Sequence, residues 1–228
     1  MRVEDCYKLN SKQINDFNEY AKMIVEWNKI INLTSITDLD EIHLKHFIDS
    51  LTISKYIKNG DNVVDVGTGA GFPGIPLKIY DNSIKVTLVD SLNKRIKFLE
   101  NVIDTLKLSN IVAVHARAED IGRDNKYREN FDIATSRAVA NLSVLVEYLL
   151  PLVKVGGKCV CMKGPNIEDE VLNSKNAIKL LGGEIEKIDN FQLPNSDIRR
   201  NIIVIKKIKK CDKKYPRRPG EPLKKPLI

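Results

Sequence analysis

The chain has 228 residues, 43% of them hydrophobic and 29% charged, with a net charge of +7. That length suits one α/β domain with short additions and allows a sizeable core, while no apolar run approaches the roughly 20 residues of a bilayer span. The opening MRVEDCYKLN has no apolar leader stretch, and Cys6, Cys159, Cys161 and Cys211 form neither a C-x-x-C pair nor a zinc-type spacing with histidine, so a cytoplasmic protein without a disulfide framework is expected; no long apolar surface stripe demands a dimer, so a monomer is expected.

Taken in chain order, 11–30 reads as an amphipathic helix. Ile14, Phe17, Ala21, Ile24 and Val25 recur at helical spacing behind Ser11 as N-cap. A second helix is predicted over 38–56, with Ile42, Phe47 and Leu51 facing inward and Asn59-Gly60 ending it. Inside it His43, His46 and Asp49 repeat every third residue, a spacing that permits a metal site. No fourth ligand is evident, so no metal is expected.

After Gly60 the pattern changes. Short β-branched runs at 62–66, 85–89, 111–115, 131–136, 157–162, 185–191 and 201–205 alternate with helical stretches at 74–80, 92–107, 141–153 and 167–181. Such alternation means βαβ units. The fold class is therefore α/β: a doubly wound, mostly parallel, Rossmann-like seven-stranded sheet. The connection 192–200 is too short for a right-handed crossover, so the last strand is predicted antiparallel. Cys159 and Cys161, two apart in a strand, share one face and read as buried hydrophobes. The chain divides into a helical extension (1–60), the core (61–208) and a basic tail (209–228). From Lys206 onward ten basic residues face only Asp212 and Glu221, so the rest is close to neutral. With its prolines and Tyr215, the tail reads as an extended phosphate-binding segment, the alternative being a solvated lysine run.

The densest signal is Asp65-Val66-Gly67-Thr68-Gly69-Ala70-Gly71-Phe72-Pro73-Gly74, where a strand runs straight into a glycine turn and then a helix. Missing Cβ atoms let backbone turn tightly and lie against a ligand, and this strand end is where open α/β sheets bind ligands. Gly69, Gly71 and Gly74 also spell the dinucleotide pattern G-x-G-x-x-G. Pro73 and Pro76 crowd the helix start, where a pyrophosphate needs free N–H groups, which favours S-adenosylmethionine over NAD. Asp90, at the end of the second strand, is placed to accept ribose hydroxyl protons, or else to cap the next helix. Ala118-Glu119-Asp120 follows the third strand at the same sheet edge, as an adenine contact or a solvated loop.

The chain resembles the bacterial 16S ribosomal RNA guanine-N7 methyltransferases, the RsmG or glucose-inhibited division protein B family. The resemblance rests on Trp27-Asn28 with Asn32-Leu33-Thr34, His46-Phe47-Ile48-Asp49-Ser50-Leu51, the glycine loop, and Asp90-Ser91-Leu92. It continues through Arg117-Ala118-Glu119-Asp120, Ser136-Arg137-Ala138-Val139-Ala140, Lys163-Gly164, and Tyr215-Pro216-Arg217 running to Pro226-Leu227. It implies methyl transfer from S-adenosylmethionine to N7 of a guanine in the decoding region of 16S rRNA, presented as rRNA or a small-subunit particle. It further implies that Gly67, Phe72, Ala118, Glu119 and Arg137 line the cofactor pocket, alongside Gly69, Gly71 and Asp90 from the loop argument.

Guanine N7 carries a lone pair and no proton, so its methylation needs alignment and no general base. Arg137, Lys163 and Asn32 are the candidates nearest the base. Arg137 suits O6, a phosphate or an acidic partner, and Lys163 suits a phosphate or solvent. Asn32 pairs with Asn28 one turn away, either toward the pocket or as helix-end capping. Two other readings stand beside this one: an NAD-linked oxidoreductase using the same loop, and a non-catalytic rRNA-binding module.

Overall fold

The computed structural model describes residues 1–137 and 139–227. Ala138, within the Ser-Arg-Ala-Val-Ala stretch, and Ile228 lie outside the described residues. The sheet is built from β1 (Asn62–Val66), β2 (Lys85–Asp90), β3 (Ile111–His115), β4 (Phe131–Arg137), β5 (Val153–Lys163), β6 (Gly183–Gln192) and β7 (Arg199–Lys207). Their order is β3-β2-β1-β4-β5-β7-β6. β1 to β5 are parallel, whereas β7 runs antiparallel between β5 and β6. The antiparallel last strand is thus observed, inserted one place inside the edge. The order reverses between β1 and β4, which opens a crevice at the carboxyl ends of those strands.

Strand periodicity sorts side chains onto two faces. Val63, Val160, Ile202 and Val204 join a core beneath the N-terminal helices, whereas Val64, Cys159, Cys161, Ile203 and Ile205 join the opposite core. Both strand cysteines are fully buried. The first core is covered by α1 (Ser11–Ile31), α2 (Leu39–Ile42), a π-helical turn (His43–Ile48), α3 (Asp49–Leu51), α4 (Gly74–Tyr80) and α5 (Asn93–Thr105); the second by α6 (Ala118–Arg123), α7 (Leu142–Leu149) and α8 (Glu168–Leu180).

α1 is capped one residue before the expected position. Asn10 accepts from the backbone of Gln13 and Gln13 answers with its own side chain, closing a reciprocal cap. Phe17, Tyr20, Ile24 and Phe47 are fully buried, each contributing about 1.5–3 kcal/mol through lost apolar exposure. The helix expected to be continuous over 38–56 is instead an α–π–α succession followed by a short 3-10 turn, Ser54–Tyr56. α6 falls where the sequence pattern leaves a loop, because six residues are too few to show helical period. No helix among the described residues is long and apolar enough to cross a membrane.

The basic segment after β7 does not run extended into solvent. Cys211, Tyr215 and Pro222 are buried, and a short helix, α9 (Glu221–Lys224), follows Gly220. Arg128 donates to the carbonyls of Cys211, Asp212 and Tyr215, and Arg123 to that of Pro216. The wholly buried carboxylate of Glu147 accepts Nε and Nη2 of Arg217, the latter at 2.6 Å, and also the Arg217 backbone N–H at 2.8 Å.

Candidate active site

The glycine loop is shaped by backbone that only glycine adopts without strain: φ is +69° at Gly67, +63° at Gly69 and +101° at Gly71. The amides of Gly67 and Thr68 both donate to Val89 O, at 2.8 and 3.1 Å, tying the loop to β2. Asp65, wholly buried near the end of β1, holds the loop's two ends together. Its Oδ2 accepts from Thr68 Oγ1 at 2.6 Å and from Gly74 N at 2.9 Å. Burial pushes its carboxyl up to about 6, against the lowering pull of those hydrogen bonds. Its Oδ1 has no partner among the described residues.

Beside the loop lies a concavity of about 560 Å³ lined by Gly67, Asp90, Leu92, Ala118, Glu119 and Leu223, among others. Asp90 is 3% exposed. It accepts from Gly69 N (3.0 Å), Leu92 N (2.9 Å) and Arg95 (3.2 Å), and a carboxylate offers about four acceptor positions. Glu119 is buried and accepts Gly220 N at 2.9 Å. A Cβ added at Gly69 meets none of the described residues within 4 Å, so the loop presents bare backbone to open space there. This donor and acceptor set, with its apolar flanks, fits an adenosyl group.

A second concavity, about 680 Å³, adjoins the first and shares Val139 and Ala140 with it. Val139 sits directly over Gly67: a Cβ there would stand 2.5 Å from Val139 Cγ2. The second concavity is lined by His46, Asp49, Arg137, Lys163, Glu170 and Arg200, with Met162 as apolar wall. The π-helical turn supplies His46 to this site while keeping Phe47 and Ile48 in the core. Arg137 lies 4.7 Å over the Phe72 ring, and His46 stacks on the same ring at 4.4 Å. Arg137 donates to Asp49 (3.2 Å), Lys45 O (3.2 Å) and His46 Nδ1 (3.1 Å). Asp49 also accepts Arg200 Nε at 3.1 Å. Burial, then the adjoining Arg137 charge, pulls the His46 imidazole down to about 3; it is neutral at physiological pH, with Nε2 2.9 Å from Thr34 Oγ1.

Residues 13–203 match the family model for rRNA small subunit methyltransferase G. The chain belongs to the rRNA small subunit methyltransferase G family. Relatives of that name include the one from Acetivibrio thermocellus, 56% identical over 220 residues, which span 96% of this chain and 90% of the relative. That of Alkaliphilus metalliredigens is 49% identical over 223 residues, 97% of this chain and 93% of the relative. Among solved structures, M. jannaschii TYW2 in complex with AdoMet shares the fold at TM-score 0.52 and 15% identity, over 90% of this chain and 78% of that one. A SAM-dependent methyltransferase from Methanosarcina mazei does so at TM-score 0.54 and 15% identity, over 69% and 97%. Membership of the methyltransferase G family displaces both the NAD-linked and the non-catalytic readings.

In this member of the methyltransferase G family the expected residues part into two groups. Gly67, Asp90, Ala118 and Glu119 line the first concavity; Gly69 does not, and its N–H donates to Asp90 instead. Arg137 and Lys163 line the second. Gly71 lines neither: an added Cβ there would stand 2.7 Å from the Tyr20 hydroxyl and 2.5 Å from Ile75, so this glycine makes room for packing. Phe72 also lines neither and is the platform beneath Arg137 and His46. Lys163 is occupied, donating to Ala140 O at 2.6 Å and pairing with Glu170 at 2.7 Å. Asn32 is exposed, with φ +45° at the end of α1, and lines neither concavity. Asn28 caps the turn, its Oδ1 accepting Leu33 N and Thr34 N. His43, His46 and Asp49 do not converge. His43 is buried edge-on to Phe47, with both ring nitrogens unpartnered among the described residues, and Asp49 is held between two arginines.

Sequence reasoning alone misses Arg200, Glu170 and the tail residues Gly220 and Leu223. For the tail, Glu147 carries the usable signal: a carboxylate in the apolar run Leu142–Leu149 requires a buried cationic partner.

Proposed function

We propose that the chain methylates N7 of a guanine in the decoding region of 16S rRNA, with S-adenosylmethionine as methyl donor. One observation carries the reading. A cofactor-sized concavity and a second one adjoin across Val139–Ala140, and every titratable side chain lining the second is already engaged. Lys45 pairs with Glu41 at 2.7 Å, Lys163 with Glu170, and Asp49 with Arg137 and Arg200. His46 is held neutral between Arg137 and Thr34. Such a site orients a base without removing a proton from it, which suits a nucleophile that already bears a free lone pair.

When bound, S-adenosylmethionine supplies an electrophilic sulfonium methyl. Gly67 and Asp90 would hold the donor from the loop side, with Gly69 N fixing the Asp90 carboxylate, and Ala118 and Glu119 would hold it from the side of β3 and α6. Arg137, clamped by Asp49 and stacked on Phe72, presents a fixed cation to guanine O6 or a flanking phosphate, and Arg200 a second. The reading makes the protein a cytoplasmic monomer acting on rRNA or a small-subunit particle. It is tested by incubating the purified chain and S-adenosylmethionine with 16S rRNA and, separately, with small-subunit particles lacking the modification, then digesting and searching for 7-methylguanosine by mass spectrometry. Its absence from both substrates overturns the reading.

A further inference from the structure

The methyl-transfer site accounts for the glycine loop and the arginine cluster, but not for a buried ion pair on the far side of the cofactor concavity. Glu147, on a helix every residue of which is buried, is engaged by one residue of the C-terminal segment, Arg217. That engagement is a fork plus a backbone N–H, the strongest form of carboxylate recognition, and it holds the Arg217 guanidinium above its ordinary value. Its neighbour Tyr148 lines the cofactor concavity together with Glu119. Three residues beyond Arg217, Gly220 N donates to that same Glu119. Three further on, Leu223 lines the concavity while 62% exposed. At the base of the segment Pro216 presses on Gly122 of α6, where an added Cβ would stand 2.8 Å from the proline ring.

We propose that Glu147 and Arg217 are positioning residues for the cofactor: their pair fastens the C-terminal segment so that Gly220 and Leu223 complete the wall against which the adenine of S-adenosylmethionine rests. The inference rests on the methyltransferase reading. Leu223 presents an exposed apolar face at the concavity, the surface a flat base packs against. Glu119 accepts from Gly220 N at 2.9 Å, which leaves its orientation dependent on the tail. A segment that reads as a basic RNA-binding appendage is, on its inner face, part of the donor site.

The experiment is calorimetry with S-adenosylhomocysteine on the full chain and on Leu223→Ala, Glu147→Gln and Arg217→Gln, with steady-state kinetics on rRNA or particles. The expected result is a Kd raised about fivefold in L223A and tenfold or more in E147Q and R217Q, given that each tenfold is about 1.4 kcal/mol. KM for S-adenosylmethionine rises in step, while kcat at saturating donor and KM for RNA stay within about twofold. An unchanged Kd in L223A, or in a folded E147Q, overturns the inference, as does a fall in kcat with KM for the donor unchanged, the mark of a merely structural pair. If E147Q and R217Q do not fold, L223A decides alone, because an exposed leucine is dispensable to the core. Failure of the unmodified chain to bind S-adenosylhomocysteine removes the methyltransferase reading itself, a result distinct from equal binding by all four proteins.

Discussion

At the scale of single residues, the site is governed by charges placed where water cannot reach them. Asp65 binds the glycine loop at both ends, yet burial raises its carboxyl to about 6. An acid whose pKa is higher folded than unfolded binds more protons in the native state between the two values. Stability therefore falls as pH rises through that window. Measured by denaturant unfolding against Asp65→Asn as reference, the native chain should lose on the order of 2–3 kcal/mol between about pH 4 and pH 6. A constant difference across that range would show the carboxyl to titrate normally. His46, lowered to about 3, is neutral throughout the useful range and its ring nitrogens are taken. Single-turnover methylation should accordingly be flat from about pH 6 to about pH 8.5, and a bell-shaped profile would reveal a base at work in the site. Arg137→Lys keeps the charge but loses the planar fork that lies over Phe72 and reaches Asp49 and the carbonyls of the π-helical turn. It should lower kcat by about 100-fold, or roughly 2.7 kcal/mol, with S-adenosylhomocysteine affinity changed less than about threefold in calorimetry.

At the scale of elements, the glycine turn and the strands around it are readable in the sequence because their rules are local. A strand shows in a short β-branched run, an antiparallel return in a connection too short for a crossover, and the turn in residues that must take positive φ. Glycines within one motif nonetheless do different things, and spacing alone does not separate them. Gly74 lies at the start of α4, where an added Cβ would stand 2.3 Å from Leu88 Cδ2 and 3.0 Å from Asp65 Oδ2. Gly74→Ala should therefore destabilise by about 1–3 kcal/mol through overpacking, measured by urea unfolding. Gly156→Ala, with positive φ but open space around it, should cost about 1 kcal/mol from backbone alone. The helix over 38–56 is legible as helix but not as a helix with a π turn, since one wider ring leaves the hydrophobic pattern almost unaltered. The candidates nearest the base are only partly legible. Arg137 and Lys163 stand at strand ends, which topology assigns to the crevice, whereas Asn32 stands where a left-handed residue ends a helix and Asn28 satisfies the turn.

At the scale of the whole molecule, the tail is hardest to read, because composition describes its outer face and not its inner one. Ten basic residues between Lys206 and the C-terminus suggest solvent or phosphate. Docking depends instead on distant partners, Glu147, Glu119, Arg123 and Arg128, which reach the segment across 70 to 101 residues of chain. Truncation after Ile208 exposes the face of α6 and α7 and strands the Glu147 carboxylate. It should lower the melting temperature by several degrees and abolish S-adenosylhomocysteine binding, and retention of wild-type affinity would show the segment to be a mere appendage. Lys209, Lys210 and Lys213 are exposed on the outer face of the segment. Association with rRNA should weaken steeply with salt, while S-adenosylhomocysteine binding, measured over the same range, should scarcely change.

The shared partition at Val139–Ala140 has a kinetic consequence. The two concavities share Val139 and Ala140, so donor and base would lie on either side of the same two residues. Random addition is the expected order, and product-inhibition kinetics check it: the spent nucleoside should inhibit competitively against the donor but not against RNA.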